Sequence, residues 1–357
     1  HHAPSLCNIE QTMKIFLLSS AGDAGKAIII FVTAFAGLGL SHFSLALEKI
    51  SFAVPVIAVQ YAPIYLGVKE GVFAREGLDI DISVLRTDLA MTALNAGNLD
   101  YIAHGGAALR GATRGFPIKL IFALDEKSAF WLLTQPGIRK VAMLKGKKIG
   151  ISFPGDTPHL VLKRFLKRSG LDPDRDVTYV SGQISPIGFQ GLNAGVLDGA
   201  VMAPPYTVLA QDKGFQGLAF LGKEVPDAPT VNGIVTSDEK IHSQPNQVKQ
   251  IVRAMLKSVQ LYRQNTEVAV NFLASQFNLE FAVAKRVYGD AVAIVIPDGE
   301  VKIDRIRDVL NMAKESGQAS PNVVEPESLL DLSFLHEAQR SANKTAERKR
   351  SAGTTTQ

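Results

Sequence analysis

Asn95-Ala-Gly-Asn-Leu-Asp100 and Asn193-Ala-Gly-Val-Leu-Asp198 share the pattern N-A-G-x-L-D, each set between a helix-like and a strand-like segment. Glycine ends a helix by adopting the left-handed conformation that other residues resist, and aspartate then turns the chain. Six-residue matches arise by chance, so the contexts decide. Asp88 is an N-cap candidate for a helix over Leu89–Ala96, Gly97 is its stop, and Tyr101-Ile-Ala103 is a strand. Ser185-Pro186 opens the second copy, Gly195 stops it, and the strand Gly199-Ala-Val-Met202 follows. Two halves of similar topology are therefore expected.

Working outward, short apolar runs alternate with helix-length amphipathic segments, the pattern of an α/β protein. In the first series Ile50–Pro55 reads as a strand, Pro63–Lys69 as a helix, and Asp79–Leu85 and Ile118–Leu124 as strands. In the second, Lys148–Phe153 and Val177–Val180 read as strands, and Thr157-Pro158 caps a helix over His159–Ser169 that Gly170 stops. Beyond Val235 the pattern changes. Val248, Ile251, Val252, Met255, Val259 and Tyr262 fall at helical spacing in Pro245–Asn265, and helices follow at about 267–276, 280–292 and 303–315.

The 357 residues, 46% hydrophobic and 20% charged, suit two globular domains better than one. The net charge of +4 is local, because residues 339–357 place Arg340, Lys344, Arg348, Lys349 and Arg350 against Glu347. That stretch is expected as a disordered basic tail, and a neutral body argues against a nucleic-acid partner. The apolar run Ala27–Leu40 has the length of a signal-peptide core, follows Lys26, and precedes small residues that suit cleavage after Ala46. A periplasmic location is expected. The single cysteine, Cys7, lies upstream of that cut, so no disulfide or thiol nucleophile is expected beyond it. The seven histidines show no metal-binding spacing, no GxSxG elbow exists, and no GxGxxG follows a strand. No metal, cofactor or catalytic residue is expected.

Ligands of open α/β sheets bind beyond the carboxyl ends of the strands, against helix N-termini. The loops so placed are 60–63, 86–88 and 104–107 in the first series, and 153–158, 183–186 and 203–206 in the second. The stretches Tyr61-Ala-Pro-Ile-Tyr-Leu-Gly-Val-Lys-Glu-Gly-Val-Phe-Ala-Arg-Glu-Gly-Leu-Asp79, Leu94-Asn-Ala-Gly-Asn-Leu-Asp100, Leu144-Lys-Gly-Lys-Lys-Ile-Gly-Ile-Ser152, Gly170-Leu-Asp-Pro-Asp-Arg-Asp-Val177 and Gly195-Val-Leu-Asp-Gly-Ala200 resemble one family. From about Ile50 to Leu335 the chain is similar to the SsuA/THI5-like (NMT1-like) solute-binding proteins of ABC importers, which include nitrate, sulfonate and taurine binders.

The resemblance implies a two-lobed type II periplasmic-binding-protein fold with a ligand cleft between the lobes. Crossovers are expected near Phe130–Gln135 and Val231–Thr236, giving one lobe of 47–132 plus 236–338 and another of 133–235. The implied function is non-catalytic capture of a small molecule for ABC permease subunits, by a monomer that meets the membrane only through that permease. An exported sensor using the same cleft is the alternative, and a pyrimidine-precursor or menaquinone-pathway enzyme a more distant one. The family's cleft falls on Tyr61, on Thr87 and Asp88, on His104, Gly105 and Gly106, on Asp156, Thr157 and Pro158, and on Pro204 and Tyr206. Each has a structural reading too: Tyr61 can pack under its helix, Asp88 and Thr157 can simply cap, and His104 can be a hydrogen-bonded structural histidine. Anion binders of the family tend to carry small neutral residues on these loops. Asp88 and Asp156 would repel an anion, partly offset by Arg86, and so favour a neutral or amine-bearing ligand.

Overall fold

The computed structural model describes residues 46–353, except 229, 316 and 318–323. The signal-peptide reading falls, Ala46 apart, outside the described residues. From Leu47 onward the chain builds two five-stranded sheets.

The first sheet holds β1 (Glu48–Val54), β2 (Leu78–Val84), β3 (Tyr101–Ile102), β4 (Ile118–Asp125) and β10 (Asn232–Ser237), in the order β2-β1-β3-β10-β4. The second holds β5 (Trp131–Thr134), β6 (Lys147–Gly150), β7 (Val177–Val180), β8 (Gly199–Met202) and β9 (Gln216–Phe220), in the order β7-β6-β8-β5-β9. In the first, β1 runs parallel to β2 and β3, while β10 lies antiparallel between β3 and β4. In the second, β6 runs parallel to β7 and β8, while β5 lies antiparallel between β8 and β9. The two orders superimpose strand for strand. The odd strand of each sheet is the one that has just arrived from the other.

That arrangement corrects the expected crossovers. Trp131–Thr134 and Asn232–Ser237, read as connections because they are extended, are interior strands with Leu132, Leu133, Thr134, Ile234, Val235 and Thr236 buried. The chain crosses earlier, between Asp125 and Trp131 and between Phe220 and Asn232. Sequence periodicity cannot separate a buried strand from an extended linker, since both are short apolar runs.

The repeated motif latches each half. The Asp100 carboxylate accepts hydrogen bonds from the Ser51 backbone N–H at 2.8 Å and hydroxyl at 2.7 Å, and the Asp100 N–H donates to the Ser51 carbonyl. Asp198 does the same with the Lys148 N–H at 2.9 Å and the Lys148 carbonyl. Ser51 and Lys148 hold equivalent positions on β1 and β6, so each aspartate pins the start of the third strand to the first. Gly97 and Gly195, ending the preceding helices, have φ of 72° and 69°. Burial raises the Asp100 pKa, but the Lys240 ammonium and the Ser51 donors outweigh it and hold the carboxyl below the ordinary range.

The helices that position the cleft are α1 (Ala62–Lys69), α2 (Thr87–Asn95), α3 (Gly105–Ala112), α4 (Thr157–Arg168), α5 (Ser185–Asn193) and α6 (Tyr206–Asp212). After α7 (Leu221–Glu224) and α8 (Asp238–Ser243), the long α9 (Pro245–Gln264) buries Val248, Ile251, Val252, Met255, Val259 and Tyr262 in the first half's core. The following α10 (Thr266–Phe277), α11 (Phe281–Val292) and α12 (Ile303–Glu315) match the sequence reading within two residues. The final α13 (Ser333–Gly353) corrects the expected disorder beyond residue 338. Leu335 and Ala338 anchor it in the core. No described helix is long and apolar enough to cross a membrane.

The latches predict unequal losses. Asp100→Ala strands two half-buried donors of Ser51 and Lys240, and should cost about 2 kcal/mol. Asp198→Ala, with one backbone donor and an exposed lysine, should cost about 1 kcal/mol. The Asp100 contribution is present above the unfolded carboxyl pKa of about 4 and fades as pH falls through the lower folded value. Urea melts at pH 7 and pH 3 check both statements; equal losses for the two variants would refute the latch as described.

Candidate functional site

Because β1–β4 run one way and β6–β9 the equivalent way, each sheet presents a carboxyl edge bearing the loops that start α1, α2 and α3, or α4, α5 and α6. These two sets of loops touch. Arg110 on α3 donates from Nη1 to Thr157 Oγ1 at the head of α4, at 3.2 Å. The Arg86 guanidinium lies 5.3 Å from the centre of the Phe153 ring. Val208 of α6 belongs to the same apolar cluster as Ala58, Val59 and Tyr61 ahead of α1. Arg286 of α11 meets Asp212 of α6 at 2.7 Å, and Arg164 of α4 meets Glu315 of α12 at 3.6 Å. Such exposed pairs contribute about 0–1 kcal/mol each, so they add little to the contact.

Within the contact, Tyr61 is buried at the head of α1, and burial together with the nearby Asp125 pushes its phenol pKa upward. His104 precedes α3 with its Nδ1 2.9 Å from Thr87 Oγ1, joining the second and third loops. Burial pushes the imidazole pKa down to about 4, so at neutral pH the ring is uncharged, and its Nε2 is buried without a partner. Gly105 and Gly106 lie against the segment entering β10: a Cβ on Gly105 would stand 2.1 Å from the Val231 carbonyl oxygen and 2.5 Å from the Asn232 Cα. Only glycine lets the backbones approach so closely. The Gly106 N–H donates to that same carbonyl.

Three sequence expectations change. Asp88 does not cap α2; Arg86 occupies that place, and the Asp88 carboxylate turns outward to pair with Arg86 at 3.2 Å. Thr157 does not cap α4 either. The Asp156 carboxylate accepts from the His159 N–H at 3.0 Å and the Phe153 N–H at 3.1 Å, which frees the Thr157 hydroxyl to take Arg110. Burial raises the Asp156 pKa, opposed by those N–H groups and Arg110. Likewise Ser185 does not cap α5, and its hydroxyl instead accepts from the Ala203 N–H at 3.1 Å. A capping box cannot be told from its neighbour by sequence when two polar residues adjoin. Pro158 is buried in the first turn of α4. Pro204 precedes Pro205 through a cis peptide bond, and Tyr206 is half-buried with its ring 6.0 Å from Phe189.

Several residues of the contact escaped the sequence reading. Gln60 Oε1, Thr207 Oγ1 and Thr230 Oγ1 are buried on these loops without partners, as is His104 Nε2. Arg110 is 5% exposed, and burial lowers its pKa to about 10. Asp125, at the carboxyl end of β4, is 2% exposed and receives the Asn232 amide at the start of β10. The available signal was a charge inside an apolar run, as in Gly105-Gly-Ala-Ala-Leu-Arg110 and Ile118-Lys-Leu-Ile-Phe-Ala-Leu-Asp125. Exposed apolar side chains ring the same loops: Ile57, Val84, Leu89, Phe153 and Ile187. A shallow recess lined by Lys49, Ser51, Asp79, Asp81 and Asp100 lies at the opposite edge of the first sheet, away from these groups.

Gly105→Ala should therefore displace α3 from Val231 and cost about 1–3 kcal/mol, as overpacking does. Gly137→Ala, where nothing lies within 4 Å of the new methyl, should be neutral. Thermal melts of the two variants test this; equal melting points would refute the close approach.

The riboflavin-binding protein RibY of Chloroflexus aurantiacus is 26% identical over 226 residues, which span 60% of this chain and 62% of that relative's length. The match therefore stops short of two thirds of the relative. Among solved structures, the aliphatic sulphonate-binding protein SsuA of Escherichia coli superposes with a TM-score of 0.64 at 16% identity, over 80% of this chain and 92% of its own. The desulfurization enzyme DSZB gives 0.63 at 13% identity, over 83% and 99%. At such identities the likeness speaks of the fold alone, a periplasmic-binding-protein scaffold that carries binders and an enzyme alike. Residues 58–269, more than half of the chain, match the family model described as NMT1/THI5 like, and the chain belongs to that family.

Proposed function

We propose that this protein is the exported solute-binding component of an ABC importer, which captures a small organic molecule by closing its lobes and hands it to permease subunits. The carrying observation is the convergence of loops from two matching sheets on buried polar groups that lack partners: Gln60 Oε1, His104 Nε2, Thr207 Oγ1 and Thr230 Oγ1. Buried polar atoms are ordinarily hydrogen-bonded. Gln60 and His104 stand on loops of the first sheet, Thr207 at a helix start of the second and Thr230 on the segment that crosses between them; a solute's own polar groups would satisfy these four, and the apolar side chains around the loops suit an organic body. Tyr61, Thr87, His104, Gly105, Gly106, Thr157, Pro158, Pro204 and Tyr206 are the contacts we assign, with Arg110, Asp125 and Thr207 added. Asp156 positions α4 through its cap, and Asp88 is left outside the site because it faces away with Arg86.

Two lobes, about 47–125 with 232–338 and about 131–220, would rotate about the two crossing segments. Ligand contacts to both would favour the closed form. A non-catalytic role is supported by the chemistry of the contact. His104 is neutral and tied to Thr87, and the described residues contain no cysteine. The apolar run at 27–40 supports export, and the monomer, without nucleic acid, would meet the membrane through its permease alone. Similarity to the riboflavin-binding protein RibY supports an organic solute of some size.

A thermal-shift screen against metabolites, followed by X-ray scattering on each hit, tests the proposal. A solute at 100-fold its Kd stabilises by about 2.7 kcal/mol, which should raise the melting temperature by several degrees, and the scattering should show a smaller radius of gyration. Thr157→Ala and Tyr61→Phe should each weaken a hit about tenfold, or about 1.4 kcal/mol, with little change in the ligand-free melt. Turnover of the hit into a product would overturn the non-catalytic reading. Unchanged affinity in both variants would remove the assigned contacts.

A further inference from the structure

Asp125 ends the buried strand β4 and is itself 2% exposed. Both carboxylate oxygens accept from one side-chain nitrogen, Asn232 Nδ2, at 3.0 Å each. The Asn232 backbone N–H acts on the same carboxylate. An ionised carboxylate has about four acceptor sites, so the donors of this one neutral residue leave capacity unused. Among the described residues Asp125 forms no ion pair. The titratable groups acting on it, Tyr61 ahead of α1 and Glu126 next in the chain, are not cations. From the other packed elements, β10 presents the neutral Asn232, and the chain after α11 meets Asp125 through the backbone of Val295.

The position of Asp125 matters as much as its isolation. It stands at the carboxyl edge of the first sheet, beside Tyr61. Its partner Asn232 is the residue whose Cα a Gly105 side chain would strike. Asp125, Asn232, Gly105, Arg110 and Thr157 thus form one contiguous line from the hinge to the second lobe. The other carboxylates on these loops are engaged, Asp88 by Arg86 and Asp156 by two N–H groups of its own turn. A buried carboxylate with no internal cation is costly unless a positive partner reaches it.

We propose that Asp125 is the cation-recognising residue of this cleft, and that the captured solute carries a protonated amine or amidine nitrogen that pairs with it. The inference rests on the solute-binding reading and names its substrate class. Burial pushes the carboxyl up to about 7 in the ligand-free protein. A folded pKa above the unfolded value of about 4 means that stability is lost as pH rises through 7. A ligand cation reverses this by favouring the ionised form. Amine affinity should therefore rise between pH 6 and pH 8, with release of a proton on binding, until the amine itself loses its charge.

The test uses the intact protein and solute pairs that differ in amine against hydroxyl: benzylamine and benzyl alcohol, putrescine and butanediol, agmatine and its alcohol counterpart. Wild-type protein should be stabilised by amine members and not by their partners, with at least tenfold tighter affinity at pH 8 than at pH 6. Asp125→Asn, nearly isosteric and unable to ionise, should lose amine affinity at least tenfold and show no pH dependence. Its ligand-free melting temperature at pH 8 should equal or exceed that of wild type, which shows that it is folded. Equal response to both members of each pair, or amine affinity kept within twofold in Asp125→Asn, overturns the assignment. If only uncharged or acidic solutes stabilise the wild-type protein, solute capture stands and the role of Asp125 falls. If no solute of any charge does, both fall.

Discussion

The structure depends on a constraint of connectivity: each sheet is completed by a strand that has just crossed from the other. β5 enters between β8 and β9, and β10 enters between β3 and β4. The second half draws its whole sheet from one stretch of chain, whereas the first needs β10 to return from it, and each crossing ends in a strand buried in the core that it joins. The anchors are stiff because the strands are buried, and the connection ahead of β10 is itself held by Leu221, Val225 and Ala228 in the second half's core and by Val231 in the first. The chain links the halves through the segments between Asp125 and Trp131 and between Phe220 and Asn232.

The same constraint aims the chemistry. An antiparallel strand entering a parallel sheet starts where its neighbours end, which brings Asn232 to the carboxyl edge and onto Asp125. Both crossings lie at that edge in both sheets. The loops that carry helix starts therefore share the hinge side and come together across it. Arg110 reaching Thr157, and Val208 joining the cluster around Tyr61, follow from this placement. So does the burial of polar atoms that have no partner inside the protein.

Charge on these loops is more divided than a count of residues suggests. Asp88 and Asp156 seem equivalent as acidic residues at helix starts, yet one is neutralised by an exposed arginine and the other is consumed by its own helix. The carboxylate left over is Asp125, at the end of a strand rather than the start of a helix. His104 is neutral because it is buried, so the positive charge in the contact comes from Arg110, itself held by a hydroxyl and by the more distant Asp156.

The repeated N-A-G-x-L-D motif, the helix periodicities and the glycine stops were legible in the sequence, because each is set by local rules: side-chain spacing, φ at Gly97 and Gly195, and an aspartate immediately before a strand's first paired residue. They determined the α/β class, the two similar halves and the loops at the carboxyl edges of the sheets. The tertiary structure alone decided which extended segments are strands of the other half's sheet, which of two adjoining polar residues caps a helix, and which charge is left without a partner. Those depend on what lies opposite in space, such as Val231 against Gly105 or Asn232 against Asp125, and residues more than a hundred positions apart leave no periodicity for a sequence to display.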